Sequence, residues 1–258
     1  MVSLTINGKV VQASEGEMLL SVTRREGIDI PALCHHDAVE PFGACRLCMV
    51  EITKAEWDGW TNYVAACLYP VEDGLIVQTH SSKVNELRRT VLDLLLARCP
   101  NSPEIRQLAA EYGVTQTAYE EVPDADNCIL CGLCTRVCER LGFKAISTVG
   151  RGHDKVVAPP LKEAPPDCVG CLSCVQVCPT NVIQYKDEGN KRTIWGKSFE
   201  LIACKECGKQ IITRDFAEAL STQRDIPEDY FEMCDECHRR ELSVKMGSIV
   251  SWSREAAS

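Results

Sequence analysis

Cys128-Ile-Leu-Cys131-Gly-Leu-Cys134-Thr-Arg-Val-Cys138 and Cys168-Val-Gly-Cys171-Leu-Ser-Cys174-Val-Gln-Val-Cys178-Pro179 share one spacing, C-x2-C-x2-C-x3-C. A repeat of this kind implies two half-modules built around a common core. The rest of the chain agrees with a metal reading, since its 258 residues hold 17 cysteines with seven C-x-x-C steps. A secreted disulfide scaffold is the first alternative, but such proteins are short and lack repeated C-x-x-C pairs. Two cysteines three apart seldom reach disulfide geometry, yet they readily share one metal centre. The odd count also leaves at least one thiol outside a fully paired scheme. Metal ligation in a reducing compartment is therefore predicted.

A cubane [4Fe–4S] cluster needs four thiolates arriving from several directions, which three closely spaced cysteines and a distant fourth provide. The double run resembles that of bacterial two-cluster ferredoxins, in which the fourth cysteine of each run ligates the other cluster. The resemblance implies one cluster on Cys128, Cys131, Cys134 and Cys178, and another on Cys168, Cys171, Cys174 and Cys138. The second run ends in Cys178-Pro179 as that pattern does; the first ends in Cys138-Glu139. Two zinc sites or reduced structural cysteines are the rival reading, disfavoured because zinc sites rarely use three cysteines at this pitch.

Toward the amino terminus, residues 2–13 read as a hairpin about Asn7-Gly8, followed by a helix over 18–26 ending at Gly27. A cysteine-bearing loop follows, then strands over 49–52 and 75–79. This order predicts a small β-grasp domain. Its cysteines, Cys34, Cys45, Cys48 and Cys67, are spaced C-x10-C-x2-C-x18-C. Plant-type [2Fe–2S] ferredoxins use C-x4-C-x2-C with a distant fourth cysteine, so a longer first gap serves the same logic. Gly43 is placed to let the backbone approach the inorganic sulfides. The rival reading makes one of the four only a packed thiol.

The segments Ile30-Pro-Ala-Leu-Cys34-His-His, Gly43-Ala-Cys45-Arg-Leu-Cys48-Met-Val-Glu-Ile52 and Ala66-Cys67-Leu-Tyr-Pro-Val-Glu-Asp-Gly74 resemble a known [2Fe–2S] domain. It is the amino-terminal domain of the complex I large iron–sulfur subunit and of related subunits in NAD-linked hydrogenases, NAD-linked formate dehydrogenases and flavin-based electron-bifurcating complexes. The resemblance extends over roughly residues 1–190. It implies that electrons pass to or from a flavin- and NAD(P)H-handling partner subunit. Most of these relatives carry a His-plus-three-Cys cluster between the two domains, whereas residues 80–127 here offer only His80 and Cys99. That departure points away from complex I itself and toward a trimmed bifurcating or hydrogenase-type subunit, with Cys99 a buried, inert thiol.

Residues 82–121 read as a helical linker with no obvious chemistry. Leu87, Val91, Leu94 and Leu95 form its apolar stripe, and Asn101-Ser102-Pro103-Glu104 opens a second helix. The stretch 141–166 reads as largely loop. Beyond the double run, Cys204-Lys-Glu-Cys207-Gly and Cys234-Asp-Glu-Cys237 resemble the two knuckles of a zinc ribbon, with a helix over 215–220 between them. A further iron–sulfur cluster is the rival there. Cys234-Asp-Glu-Cys237-His238 also matches the haem-attachment pattern, which the second C-x-x-C pair and the absence of an export signal argue against. His35 and His36 beside Cys34 raise the idea of a Rieske-type ligand; with four cysteines available, hydrogen bonding nearby is the simpler role.

A net charge of −9 with interspersed signs speaks against nucleic-acid binding. No signal peptide and no bilayer-length apolar stretch are visible, so a cytoplasmic location is expected. Neither a GxGxxG nor a P-loop motif occurs, so flavin and nucleotide are expected on other subunits and the chain is not expected to be catalytic alone. The sequence thus predicts an α+β protein of a β-grasp [2Fe–2S] domain (1–81), a helical linker (82–121), a 2[4Fe–4S] ferredoxin domain (122–197), a zinc-ribbon-like unit (198–245) and a tail (246–258). Its expected role is relaying single electrons in a hetero-oligomeric NAD(P)-linked oxidoreductase of hydrogenase, transhydrogenase or formate dehydrogenase type, with ferredoxin a further candidate partner. The competing function is a non-redox interaction or regulatory protein whose clusters and zinc are structural.

Overall fold

The computed structural model describes residues 1–123 and 125–255, the last nine of these by backbone alone. The chain folds as two compact units. One comprises Met1–Leu141, Thr148–Val157 and Ser173–Ile183; the other comprises Gly142–Ser147, Ala158–Leu172 and the chain from Gln184 onward.

The first unit begins with a five-stranded sheet. Strands β1 (Val2–Ile6) and β2 (Lys9–Ala13) pair antiparallel through Asn7-Gly8, both at positive φ, the twist that a tight hairpin turn needs. With β3 (Met49–Thr53), β4 (Asn62–Ala65) and β5 (Ile76–Gln78), they stand in the order β2-β1-β5-β3-β4, with β1 and β5 parallel. Alternation puts Val2, Leu4 and Ile6 on the buried face. Helix α1 (Leu19–Arg25) adds Leu19, Leu20 and Val22 to the same core. This is the expected β-grasp. Strand β4 is absent from the sequence reading because four residues with one buried side chain carry little alternation.

Helix α2 (Ser82–Arg98) is capped by Ser81, and α3 (Pro103–Glu111) by Ser102 with Pro103 in its first turn, as the sequence indicates. The buried face of α2 is not the predicted stripe, however. Val84, Arg88, Leu92 and Leu96 point inward, while Leu94 is 49% exposed. An arginine in the middle of the true stripe shifts an apolar-residue pattern off register. Helices α4 (Leu133–Arg140) and α5 (Ser173–Gln176) follow the paired cysteine loops. A short ladder of β6 (Ser147–Val149) and β7 (Val156–Ala158) occupies part of the stretch read as loop.

The second unit is built on a four-stranded sheet of order β11-β10-β9-β8, formed by β8 (Tyr185–Glu188), β9 (Lys191–Ile194), β10 (Lys197–Ala203) and β11 (Gln210–Thr213). The expected boundary between 197 and 198 therefore falls inside β10, and one sheet joins the end of the expected ferredoxin domain to the expected ribbon. Helix α6 (Arg214–Arg224), capped by Thr213, takes the place of the shorter helix predicted over 215–220. Helix α7 (Asp235–Glu255) continues through most of the segment expected as a tail from 246; residues 256–258 lie outside the described residues. No described helix is long and apolar enough to cross a membrane.

Candidate functional site

Cys34 lies in the loop after α1, Cys45 and Cys48 in the loop before β3, and Cys67 just after β4; all four are buried. The Cys45 amide donates to Cys34 Sγ at 3.4 Å, the type of N–H···S bond that holds a thiolate. Gly43 and Arg46 both take left-handed φ, which turns the loop backbone around the thiols. A proton shared with Cys45, aided by the amides of Cys45 and Ala44 and by the Arg136 charge, lowers Cys34 to about 6. Cys67 does the same for Cys48, to about 7, while Cys45 and Cys67 are raised as the proton-holding partners. Four buried sulfurs, two already favouring the thiolate, suit a cluster ligand set.

Two arginines hold this loop from a distance. Arg88, fully buried on α2, donates from Nε to the Leu47 carbonyl at 3.1 Å and from Nη2 to the Met49 carbonyl at 2.9 Å, on either side of Cys48. Arg136 on α4 donates from Nη2 to the Cys34 carbonyl at 2.8 Å and from Nη1 to the Glu40 carbonyl at 2.6 Å. The histidines are engaged elsewhere: His35 Nδ1 contacts Arg24 Nη1 at 3.1 Å, and His36 Nδ1 accepts from the Ala38 amide at 3.1 Å. These contacts fit the simpler role over a Rieske-type one.

The two cysteine runs repeat each other in backbone as well as in sequence. Leu130 and Gly132 take positive φ in the first, and Gly170 and Leu172 take it at the same two places in the second. A left-handed leucine costs roughly 1–2 kcal/mol, so each run keeps one strained residue to preserve the loop shape. In the first run the Leu130 amide donates to Cys128 Sγ at 3.4 Å, and Arg98 at the end of α2 donates to the Cys128 carbonyl at 3.1 Å. Burial raises Cys128, takes Cys131 to about 11 and Cys134 to about 12, and Cys178 belongs to the same unit. Four thiols held this way fit a cage that supplies its own positive charge.

Of the second implied ligand set, Cys168 and Cys171 fall in the second unit, Cys138 and Cys174 in the first. The loop carrying Cys168 is tied to its own unit. Lys197 donates to the carbonyls of Pro166 at 2.8 Å and Cys168 at 2.7 Å, Thr213 to that of Val169, and Arg192 to that of Gly170 at 3.3 Å. A Cβ on Gly170 would stand 2.8 Å from the Phe199 ring and 3.0 Å from the Thr213 methyl, so only glycine fits there.

Cys204, Cys207, Cys234 and Cys237 place their sulfurs within 4.8 Å of one another, the only group of three or more His, Cys, Asp and Glu ligand atoms this tight among the described residues. Cys207 Sγ and Cys234 Sγ are 3.7 Å apart. Four thiolates about 2.3 Å from one tetrahedral ion would be about 3.8 Å apart, so the set fits a single ion rather than a multi-iron cage. The Cys234 amide donates to Cys204 Sγ at 3.3 Å, and this bond with the Cys207 and Glu206 amides lowers Cys204 to about 6. The two cysteine pairs expected as the knuckles of a ribbon sit in different kinds of element. Cys204 and Cys207 occupy a knuckle between β10 and β11, but Cys234 directly precedes α7 and Cys237 lies in its first turn. His238 stacks on Tyr230 and its Nε2 meets the Tyr230 carbonyl at 3.0 Å, an arrangement suited to packing rather than to a haem ligand.

Cys99 is buried, with its thiol pushed up to about 12 by burial, as expected of an inert sulfur. What sequence reasoning missed is the set of supporting groups: Arg88, Arg98, Arg136, Lys197, Thr213 and Gly170. The linker assigned no chemistry supplies two of them. An arginine on a helix reads as a solvated face in any local pattern, so no signal marked them.

The class follows from these loops: an iron–sulfur protein with a [2Fe–2S] domain and a double-cluster domain. A 2Fe-2S iron-sulfur cluster binding domain matches residues 1–82, and a 4Fe-4S dicluster domain matches residues 122–185. The chain is 31% identical over 214 residues to NADP-reducing hydrogenase subunit HndD of Solidesulfovibrio fructosivorans, covering 71% of this chain and 36% of that one. It is 26% identical over 221 residues to the mitochondrial NADH-ubiquinone oxidoreductase 78 kDa subunit of Neurospora crassa, covering 75% of this chain and 29% of that one. A crystal structure of an NAD+-reducing [NiFe]-hydrogenase in the H2-reduced state matches with TM-score 0.54 and 28% identity, over 61% of this chain and 74% of that one. The chain thus carries these two iron–sulfur domains and is similar in sequence to the subunits just named, and it spans about a third of the length of the curated relatives it matches.

Proposed function

We propose that this chain is an electron-relay subunit of a multi-subunit NAD(P)-linked oxidoreductase, working beside a flavin- and NAD(P)H-handling subunit and other redox partners. Cys34, Cys45, Cys48 and Cys67 hold a [2Fe–2S] cluster. Cys128, Cys131, Cys134 and Cys178 hold one [4Fe–4S] cluster, and Cys168, Cys171, Cys174 and Cys138 hold the other. Cys204, Cys207, Cys234 and Cys237 hold a structural zinc ion. The clusters, when bound, supply one-electron exchange, and plant-type [2Fe–2S] centres lie near about −400 mV. The chain's own residues do the rest. Buried loops exclude water, amides donate to sulfur, and arginines fix the loop carbonyls so that the ligand cages do not reorganise when charge changes.

One observation carries the reading. Cys34 and Cys45 of the first set share a single apolar core with Cys131 of the second, completed by Leu47, Leu92, Leu96 and Leu133. Two ligand loops of different types packed on one core support a relay over two independent folding staples. The zinc assignment rests on the close sulfur spacing. Native purification tests both. About ten iron and one zinc per chain, a flavin-bearing companion and EPR signals that appear on adding NADH or NADPH to the complex are expected. Iron-free, colourless material, or clusters that stay oxidised in the intact complex with either nucleotide, would overturn the relay.

A further inference from the structure

Arg136 sits inside the first cysteine run, between Cys134 and Cys138, yet two of its three side-chain hydrogen bonds reach outside that run. Its Nη2 bridges the Cys34 carbonyl at 2.8 Å and the Cys131 carbonyl at 3.4 Å, while Nη1 takes the Glu40 carbonyl at 2.6 Å. The Phe42 ring lies 5.2 Å from the guanidinium carbon, and Nε is buried with no hydrogen-bond partner. One planar fork thus joins a carbonyl of a [2Fe–2S] ligand to a carbonyl of a [4Fe–4S] ligand 97 positions later in the chain. Only a guanidinium can do this. It offers donors in fixed directions, whereas an ammonium is a point charge on a flexible stem.

We propose that Arg136 is the positioning residue that clamps the [2Fe–2S] loop to the first [4Fe–4S] loop, fixing with directed hydrogen bonds the spacing of two centres that the shared apolar core only brings together. The residues around it agree. Segment 34–42 is a loop without helix or strand, and Phe42 is 57% exposed; its other anchors are the buried Cys34 and the half-buried Val39 on the shared core, which carry no directed bond to the first [4Fe–4S] loop. Arg88 and Arg98 each hold one cysteine loop to α2; Arg136 alone contacts both loops. Its positive charge, at 2.8 Å from the Cys34 carbonyl, would also favour the more negative state of a cluster held there.

The inference rests on the cluster assignment above, and the test separates the two. In the full chain, Arg136→Met and Arg136→Lys are compared with wild type for iron content, amide exchange over residues 34–42, and magnetic interaction between the reduced [2Fe–2S] and [4Fe–4S] centres. Exchange is expected to rise about tenfold in Arg136→Met, the loss of roughly one charge-assisted hydrogen bond, and the magnetic interaction to broaden or weaken. Arg136→Lys, which keeps the charge without the fork, should retain the [2Fe–2S] reduction equilibrium while showing the same loosening. Arg136→Met should shift that equilibrium toward the oxidised form. Variants that load iron fully and keep wild-type exchange and magnetic interaction overturn the proposal. If Arg136→Met loads no iron, the Lys variant decides alone by the same two readouts. A wild-type chain without iron would instead overturn the cluster assignment.

Discussion

The amino-terminal four cysteines, proposed to hold the [2Fe–2S] cluster, and the carboxy-terminal four-cysteine set both bring four thiols together, but they do so by different means. At the amino-terminal set the sulfurs are all buried and the loop is held by side chains far off in the chain, Arg88 41 positions from Leu47 and Arg136 102 positions from Cys34. At the carboxy-terminal set Cys207 is exposed, and the thiols are held by main-chain amides of the cysteine-bearing segments themselves: Glu206 and Cys207 within the knuckle, and Cys234 bonding back 30 positions to Cys204. The first is a cage enforced by the fold around it. The second is a knuckle and a helix start whose thiols, on the proposed reading, one ion ties together. The first shape is built from side-chain clamps outside the ligand loops; the second is built from the main chain of the ligand segments themselves.

The largest expected effect breaks the second region alone. Stripping the ion with a chelator, or making Cys204→Ala, removes binding energy of about 10–16 kcal/mol and should unfold residues 204–238, read as loss of amide protection, while the [2Fe–2S] EPR signal survives. Collapse of that signal as well would erase the contrast. Next comes Arg88→Met, which leaves two buried carbonyls without partners and should cost about 2–5 kcal/mol, read as a lower denaturant midpoint with early loss of the [2Fe–2S] signal. An unchanged midpoint would mean the clamp is ornamental. Gly170→Ala should cost about 1–3 kcal/mol by overpacking against Phe199 and Thr213. Iron analysis during mild heating should then show the Cys168 loop failing before the [2Fe–2S] loop. The smallest effect belongs to His36→Ala, within about 0.5 kcal/mol and without change in the [2Fe–2S] g-values; a Rieske-like shift would reinstate a histidine ligand.

Much of this molecule was readable in one dimension. The Asn7-Gly8 hairpin, the Ser102-Pro103 helix start and the paired cysteine runs depend on neighbours within a few residues, so local chemistry reveals them. The α2 stripe was misread because Arg88 occupies its centre, and a buried cation is visible only once the carbonyls of Leu47 and Met49 are folded over it. The boundary expected at 197 lies inside β10 for a related reason. Composition changes there, but strand pairing of β9, β10 and β11 carries one sheet across it.

The order and spacing of the cysteines determined which chemistry this chain is built for, because thiolates three residues apart reach one centre in almost any backbone. Only the folded molecule decided how those centres are held: which carbonyls each arginine meets, why Gly170 admits no side chain, and where the last cysteine pair departs from a ribbon. Ligand type is a property of residues. Rigidity around the ligand comes from contacts between residues that the chain order keeps apart.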